Sequence, residues 1–402
     1  MNPGEWDQLA RETLAGLEAS HLLRQRRVVT PIDPTHVRCD GRALVNFASN
    51  NYLGLTHHPR VIEVAERSLR NAGAGSGASA LISGYGPAHE SAERHIAQWK
   101  GTEAAVLLPS GYQANHAAVQ TLAAVAEKSS RSVRFLLDKL CHASLIDAVR
   151  AAGAPWRVFP HNQLQKLRRL LQDADGAEIQ VVVTESIFSM DGDAADLAGL
   201  AKLKAEHRFV MLLDEAHASG VYGPAGSGLA AELGLGGIAD VTVLTLSKSV
   251  GCIGGAVCGT KTFCSALVNL ARAYIYSTNL PPMIAAAADA AIGVMEAEPR
   301  LQSRIRELAA RVRRELREAG LQITPGDSPI IPIAMGSESA ALDAAEQLWK
   351  DGILVLAIRP PTVPRGTSRL RVTLSAGHTD EEVEGLISAL ARLATRAAGT
   401  CR

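Results

Sequence analysis

The sequence lacks an excess of charge of either sign, because Lys plus Arg number 41 and Asp plus Glu number 41 in a chain of 402 residues. It also lacks a long basic block, and the nearest approach is the short run RQRR at residues 24–27. Without a net positive field there is no electrostatic basis for nucleic acid or an anionic membrane as the main partner. We therefore expect neither.

Paired cysteines and membrane-length apolar segments are missing as well. The six cysteines, at positions 39, 141, 252, 258, 264 and 401, show none of the short paired spacings typical of metal or redox sites. Free thiols in a reducing compartment are the simplest interpretation. No apolar run is long enough to cross a bilayer, and the N-terminal MNPGEWDQLARETL does not resemble a signal peptide. We expect a cytoplasmic protein.

The composition that remains, 47% apolar and 20% charged residues, is that of an ordinary globular protein with room for more than one domain. Between residues 104 and 259, apolar strand-like runs such as IQVVVTE (179–185) alternate with amphipathic runs such as DLAGLAKLKAEH (196–207). This alternation predicts an α/β fold in which helices cover both faces of a mostly parallel sheet.

The pattern changes near residue 283, where a long helical stretch leads to shorter strand-like runs separated by helices. We predict three parts: an N-terminal helix and strand segment (1–50), a large domain (51–282) and a small α+β domain (283–402). Ligands of open α/β sheets bind beyond the carboxyl ends of the strands, so the polar residues at those ends are the candidates for a site.

The first candidate is PSGYQAN, which follows the apolar run AAVLL at residues 104–108. Ser110 and Gly111 open a helix, and the unpaired N–H groups of its first turn together with the helix dipole favour an anion. An ordinary N-cap with a glycine turn is the simpler alternative, and one such turn does not decide between them.

The second candidate is DEAHASG, in which Asp214 ends a wholly apolar strand and His217 lies three residues on. A buried carboxylate is strongly unfavourable unless a cation or hydrogen-bond donors meet it. A ligand with a protonated ring nitrogen would satisfy Asp214, whereas a solvated strand end is the alternative. Zinc or magnesium fits less well, because neither residue has clear further ligands nearby, and we predict no metal site.

The third candidate is TLSKSVG, where Lys248 emerges at the same sheet edge after the apolar strand DVTVLTL. A solvated loop lysine is the alternative, but a desolvated lysine is a neutral nucleophile that forms a Schiff base with an aldehyde. Thr245 and Ser247 add hydroxyls for a phosphate. An anion site, a carboxylate for a ring nitrogen and an amine for an aldehyde together indicate pyridoxal 5'-phosphate (PLP), an electron sink.

Motifs along nearly the whole chain resemble those of the α-oxoamine synthases, PLP enzymes of fold type I. The motifs are NFASNNYLGL, GAGSGASALISGYG, HESAERHIAQW, SGYQAN, CHASL, FPHN, TESIFSMDGD, DEAHASG, TLSKSVG, YIYSTNLPP and RPPTVPRGTSRLRVTLSAGHT. The resemblance implies an enzyme that joins an amino acid to an acyl thioester with loss of carbon dioxide. It also implies a homodimer with active sites at the subunit interface.

The resemblance assigns catalytic roles residue by residue. Lys248 would carry the Schiff base and remove the α-proton of the amino acid. Asp214 would pair with the pyridinium nitrogen, and His217 would bond the ring hydroxyl. His142 would stack on the cofactor ring, and Ser189 would bond the cofactor or stabilise the developing oxyanion.

The resemblance also assigns binding residues. The backbone amides of Gly111 and Tyr112, with Thr245, would hold the phosphate, and Thr278 would reach the phosphate of the partner subunit. Residues implied to meet the substrates are Arg371 with Asn50 for the carboxylate, Arg24 and Thr362 for the acyl chain, and His142.

The unextended N-terminus and the segment AIRPPTVP favour the family activity of the biotin pathway. That activity condenses L-alanine with a pimeloyl thioester of CoA or a carrier protein and releases carbon dioxide and the free thiol. Glycine with an acetyl or succinyl thioester, serine with a long acyl chain, and a non-catalytic partner subunit are the alternatives. Asn51 and Cys141 depart from the common family residues, as do Ala78 and Ala80 near the expected acyl region.

Overall fold

The computed structural model describes residues 3–173 and 178–399. The chain divides into two compact units, one formed by residues 50–306 and the other by the residues before 50 together with those after 306. Among the described helices, none combines the length and the apolar character that a membrane span requires.

The helices and strands are numbered here in chain order. The helices are α1 (Pro3–Ala19), α2 (Pro59–Ala72), α3 (Pro87–Lys100), α4 (Gly111–Lys128), α5 (Ala143–Ala152), α6 (Leu164–Gln172), α7 (Leu197–His207), α8 (Leu229–Glu232), α9 (Lys261–Leu270), α10 (Arg272–Ile275), α11 (Pro282–Ala297), α12 (Arg300–Glu318), α13 (Glu338–Lys350) and α14 (Asp380–Gly399). The strands are β1 (Val29–Pro31), β2 (His36–Cys39), β3 (Arg42–Asn46), β4 (Ala104–Leu108), β5 (Val133–Asp138), β6 (Trp156–Phe159), β7 (Ile179–Glu185), β8 (Val210–Asp214), β9 (Val241–Thr245), β10 (Gly255–Gly259), β11 (Ile330–Gly336), β12 (Ile353–Leu354), β13 (Leu356–Ile358) and β14 (Ser368–Thr373).

The unit of residues 50–306 is built on a seven-stranded sheet of order β4-β10-β9-β8-β7-β5-β6. Strands β5 to β9 run parallel to one another, and β10 lies antiparallel between β4 and β9. The predicted α/β fold with a mostly parallel sheet is therefore confirmed. The carboxyl ends of β4 to β9 all meet at one edge of this sheet, which is where the candidate residues follow their strands.

Burial explains why these segments form strands and why α4 lies on them. Every residue of β9 is buried, as a strand covered on both faces requires. On α4, Ser110 caps the first turn by accepting a hydrogen bond from Gln113 N at 3.1 Å. Small buried residues on the same helix, Ala114 and Ala118, let it pack closely against β9 and β10.

The other unit contains two small sheets, of order β1-β2-β3-β12 and β11-β14-β13. Strands β3 and β12 are parallel neighbours, with Val45 opposite Ile353. Arg313 of α12 is buried and donates to the carbonyl oxygens of Ser328 and, at 2.6 Å, Ile330, which ties α12 to the start of β11.

This division differs from the predicted one at two points. The N-terminal segment shares a sheet with the C-terminal residues, because β3 pairs with β12. Helix α11, predicted to begin the small domain, belongs to the unit of residues 50–306, where it packs on α2 and α3.

The cysteines of the described residues are free thiols. Five of the six are described, and Cys252 alone among these five is not fully buried. The sixth, Cys401, lies outside the described residues. The expectation of free thiols therefore holds for the part of the chain that the structure describes.

Candidate active site

The carboxyl edge of the seven-stranded sheet collects most of the predicted site residues. The residues that follow its parallel strands there are Gly111 and Tyr112 after β4, His142 after β5, Ser189 after β7, Asp214 and His217 at β8, and Thr245 and Lys248 at β9. Each lies at or beyond the carboxyl end of a parallel strand, so all of them follow strands that end at the same edge of the sheet.

Lys248 lies in the connection between β9 and β10, whose antiparallel register pairs Thr245 with Gly255. Its Nζ is 2.7 Å from His217 Nε2, and His217 Nδ1 is 2.6 Å from the Tyr52 hydroxyl. That hydroxyl donates to Asn50 Oδ1 at 3.3 Å. Nδ1–H of His217 must therefore donate to Tyr52, which leaves Nε2 as the acceptor for the Lys248 amine.

Asp214 is only 4% exposed, and its carboxylate has two donors of its own. Asn115 Nδ2 donates to Oδ2 at 2.8 Å, and the Ala216 amide donates to Oδ1 at 2.9 Å. Asn115 also contacts Ser144 Oγ at 2.9 Å, which fixes its orientation. Two neutral donors thus hydrogen-bond the Asp214 carboxylate and fix its orientation at the end of β8.

A second carboxylate, Glu185, is the residue opposite Asp214 in the β7–β8 pairing, and both are buried. Burial and then the charge of Asp214 raise the pKa of Glu185 well above its usual value. Its Oε1 accepts a hydrogen bond from the His142 amide at 2.5 Å. Burial and the neighbouring Asp214 carboxylate therefore both disfavour the charged form of Glu185.

His142 caps α5, with its Nδ1 accepting from the Ser144 amide at 3.2 Å and lying 2.8 Å from Ser144 Oγ. The residue keeps a solvent-exposed surface. Neighbouring atoms nevertheless crowd its ring, and this desolvation lowers its pKa. A neutral ring with one open side suits the predicted stacking contact.

The start of α4 forms a tight cradle with the end of β9. A Cβ placed on Gly111 would lie 3.0 Å from Thr245 Cβ and Oγ1, and one on Gly255 would lie 2.7 Å from the Gly111 Cα. Thr245 Oγ1 is 2.7 Å from Ser247 Oγ. Thr245 Oγ1 itself donates to the Gly254 carbonyl oxygen at 3.1 Å, so the first-turn amides of α4 and the Ser247 hydroxyl are the donors that fit a phosphate.

Three other predicted residues of this unit are Tyr112, Ser189 and Thr278. The Tyr112 side chain is exposed, and its hydroxyl donates to Asp147 Oδ2 at 2.9 Å, which raises its pKa. Ser189 is half-buried in the loop after β7. Thr278 is exposed and pairs with Ser79 in an isolated β-bridge. Contact of Thr278 with a partner subunit stays a prediction.

Three predicted substrate residues belong to the other unit. Arg24 Nη2 donates to the Pro360 carbonyl oxygen at 3.1 Å, and the Thr362 amide donates to Arg359 O at 3.1 Å. Arg371 is buried on β14, where its Nη1 donates to Thr373 Oγ1 at 3.0 Å. Their roles toward a substrate stay predictions.

Sequence reasoning missed Tyr52, Asn115 and the raised pKa of Glu185. Asn115 carried a usable signal, because an amide among alanines on a buried helix face needs a polar partner. Tyr52 carried a weaker one, since a buried tyrosine hydroxyl is usually hydrogen-bonded. Neither signal identifies the partner, which lies far away in the sequence.

Comparisons with known proteins point to one family. A family model for class I and II aminotransferases matches residues 42–390. A curated 8-amino-7-oxononanoate synthase of Alkalilimnicola ehrlichii is 41% identical over 396 residues, covering 98% of this chain and 99% of that protein.

Solved structures agree. Serine palmitoyltransferase of Sphingomonas wittichii superposes with a TM-score of 0.90 at 29% identity over 98% of both chains. Another structure of a serine palmitoyltransferase, with PLP, has a TM-score of 0.90 at 28% identity over 98% of both chains. The 8-amino-7-oxononanoate synthase of Francisella tularensis has a TM-score of 0.74 at 25% identity, covering 88% of this chain and 99% of that one.

Proposed function

The chain belongs to the class I and II aminotransferase family, and we propose that it condenses L-alanine with a pimeloyl thioester, releasing carbon dioxide and the carrier thiol. It is a PLP-dependent acyltransferase, and the resemblance to 8-amino-7-oxononanoate synthases is confirmed by relatives over nearly the whole chain. The observation that carries the proposal is the Lys248 amine at the sheet edge, held against buried His217 with Asp214 on the neighbouring strand.

The residues at this edge fit PLP at each end. The Gly111 and Tyr112 amides with Thr245 would hold the phosphate, and Asp214 would hold the ring nitrogen. When bound, the group supplies an electron sink for the negative charge that forms at the amino acid α-carbon. Asp214 would favour the protonated ring nitrogen, because Asn115 and the Ala216 amide keep its carboxylate in place.

Lys248 Nζ is the proposed acid and base for the α-proton of the amino acid. A base must act near neutral pH and be held within reach of its proton. The contact with His217 Nε2 orients one N–H of Lys248 and so fixes the direction in which the nitrogen faces a substrate. Tyr52 and Asn50 extend this chain, so the position of His217 is fixed from behind.

The alanine and pimeloyl assignment is supported by sequence similarity. Two curated relatives with that enzyme name are 41% and 42% identical, whereas the serine palmitoyltransferase structures are 29% and 28% identical. The second candidate is a serine-using enzyme with a long acyl thioester, and the higher TM-scores of those structures favour keeping it. Arg24, Thr362 and Arg371 keep their predicted substrate roles in either case.

A substrate screen separates these candidates. We would measure thiol release and carbon dioxide from L-alanine, glycine and L-serine, each with pimeloyl, acetyl, succinyl and palmitoyl thioesters. The proposal expects alanine with the pimeloyl thioester to give the highest kcat/KM. A higher kcat/KM for serine with the palmitoyl thioester would replace the first candidate by the second.

A Lys248→Ala variant tests the covalent anchor. The wild-type protein with PLP should become irreversibly labelled at Lys248 on borohydride reduction, and the variant should not. Lys261 begins α9 just after antiparallel β10 and so lies at the opposite edge of the sheet, which makes Lys261→Ala a matched control that should still be labelled at Lys248. A wild-type protein that takes up no PLP would instead support a non-catalytic partner subunit.

A further inference from the structure

His161, in the FPHN segment after β6, lies between two carboxylates. Its Nδ1 is 3.0 Å from Asp138 Oδ1, and its Nε2 is 2.7 Å from Asp193 Oδ2. Asp138 ends β5, and Asp193 belongs to the loop of residues 186–196 after β7. The ring also meets buried Phe188 edge-on, with centroids 4.4 Å apart.

The two contacts define the protonation state of the ring. Ionised carboxylates only accept hydrogen bonds, so both ring nitrogens must donate, and only the imidazolium form does that. Asp138 and Asp193 together raise the pKa of His161 to about 10, against the effect of burial. Asn162 Nδ2 lies 3.2 Å from Nε2, but it donates to the Ala194 carbonyl oxygen at 2.9 Å.

Asn162, the residue after His161, also connects the end of β5 to the loop of residues 186–196. Asn162, in a left-handed conformation with φ 54°, donates its amide to Asp138 Oδ2 at 3.1 Å. Its Oδ1 accepts from the Asp196 amide at 3.1 Å. The other oxygen of Asp193, Oδ1, is buried with no hydrogen-bond partner among the described residues, so its carboxylate depends on His161.

The loop of residues 186–196 carries Ser189. Its ends are closed by a bridge between Ile187 and Ala194, and the Phe188 amide donates to Asp193 O at 2.9 Å. Asp193 stands next to this bridge, so its contact with His161 joins the base of the loop to the ends of β5 and β6, beside the contacts of Phe188 with His161 and of Asn162 with the Ala194 carbonyl oxygen and the Asp196 amide. A shift of about 1 Å in a positioned group lowers a rate by as much as about 100-fold.

We propose that His161 is a positioning residue: its imidazolium clamps the loop of residues 186–196 to the ends of β5 and β6 and thereby places Ser189 at the active edge. Only the part that concerns Ser189 rests on the proposed function. Nothing in the clamp itself requires the cofactor, so the two parts are tested separately.

The clamp is tested on the protein without PLP. Nitrogen-15 NMR of the ring should show both His161 nitrogens protonated from about pH 6 to 8.5, and a ring that titrates near pH 6.5 overturns the clamp. Hydrogen exchange in peptides covering residues 187–195 should be at least about tenfold faster in His161→Gln. Asp193→Asn keeps the His161 ring and replaces one loop carboxylate by an amide of the same shape, and it should accelerate exchange in the same peptides if His161→Gln does not fold.

The chain offers a matched control in His95 of α3, whose ring also lies between two carboxylates. Its Nδ1 is 2.5 Å from Asp289 Oδ1 and its Nε2 is 3.2 Å from Glu296 Oε2, and both acidic residues belong to α11. His95→Gln should leave exchange in residues 187–195 unchanged. Equal acceleration by His95→Gln and His161→Gln would mean general loosening of the fold and would overturn the proposal.

The role of Ser189 is tested by a double-mutant cycle in the protein with PLP. His161→Gln and Ser189→Ala should each lower kcat by about 10- to 100-fold, and the double variant should be no slower than Ser189→Ala. Independent, multiplicative losses would show that His161 does not act through Ser189. If the wild type has no activity, the proposed function fails, and the absorbance of bound PLP replaces kcat in the same cycle.

Discussion

Lys100 and Glu215 form a buried ion pair beside the loop that follows β8. Their charged atoms are 2.6 Å apart, and the side chains are 2% and 3% exposed. Lys100 Nζ also contacts Ser219 Oγ at 3.2 Å and the Ser227 carbonyl oxygen, and Glu215 Oε1 accepts from the Ala230 amide at 3.1 Å. Neutral groups supply the remaining hydrogen bonds, so each buried charge has the other as its counterion.

We predict that Lys100→Met lowers the free energy of unfolding by about 3–5 kcal/mol, since it leaves the Glu215 carboxylate buried without a cation. Glu215→Gln should have a loss of similar size, because it leaves the Lys100 ammonium unpaired. The double variant carries neither buried charge. Its loss should be smaller than the sum of the single losses by about 1–3 kcal/mol.

The assay is urea unfolding of the protein without PLP, followed by circular dichroism and tryptophan fluorescence. Trp99 is a local probe, because Lys100 Nζ lies 5.4 Å from the centroid of its ring. The control is the surface pair Glu63 and Arg67 on α2, whose charged atoms are 3.9 Å apart with side chains 72% and 64% exposed. Arg67→Met should change the free energy of unfolding by less than about 0.5 kcal/mol. A loss in Lys100→Met no larger than that would refute the reasoning.

Two further predictions concern the carboxylates of Asp214 and Glu93. Asp214→Asn should lower kcat by about 100-fold or more, because it removes the charge that would stabilise a protonated ring nitrogen. The free energy of unfolding of this variant should change by no more than about 2 kcal/mol, since only one of the two accepting oxygens is replaced by a donating NH2 group. Turnover near the wild-type value would contradict the proposed role of Asp214. Burial raises the pKa of Glu93 to about 7, although the Leu107 amide and the Tyr85 hydroxyl donate to its carboxylate. Because the pKa of Glu93 in the folded state is above the usual 4.5, folding favours its protonated form. Its contribution to the free energy of unfolding is complete below about pH 4.5 and is lost as pH rises through 7. Glutamine does not ionise, so the free energy of unfolding of Glu93→Gln should rise relative to that of the wild type by up to about 3 kcal/mol between about pH 4.5 and 8. Urea unfolding at several pH values measures this difference, and a difference that stays constant with pH would contradict the prediction.

Periodicity and residue type were sufficient for much of the sheet. The apolar run at residues 179–185 is strand β7 without a change of boundary, and the run at 240–246 is β9 less one residue at each end. Burial on both faces of a parallel sheet demands such runs, so their composition reveals them. The same rule placed Asp214 and Lys248 at one edge, because parallel strands end on the same side.

The hydrophobic pattern of the sequence does not predict which side chains from distant segments contact one another. Tyr52 reaches His217 Nδ1 across 165 positions, and Asn115 reaches Asp214 across 99. His161 looked like one motif among several, yet it is charged because two carboxylates from separate strand connections meet its ring. Local sequence specifies what a side chain can donate or accept, but it does not specify which group arrives opposite to it.

Sequence patterns were enough to predict the class of fold, the sheet edge with the candidate residues, and Lys248 and Asp214 as two of those candidates. These follow from hydrophobic period and from residue types at strand ends, which are local properties. Only the folded chain pairs β3 with β12, packs α11 against α2 and α3, and raises the pKa of Glu185 by burying it beside Asp214. Each of these depends on burial and on charges brought together by the folded chain, and neither exists until the segments have met.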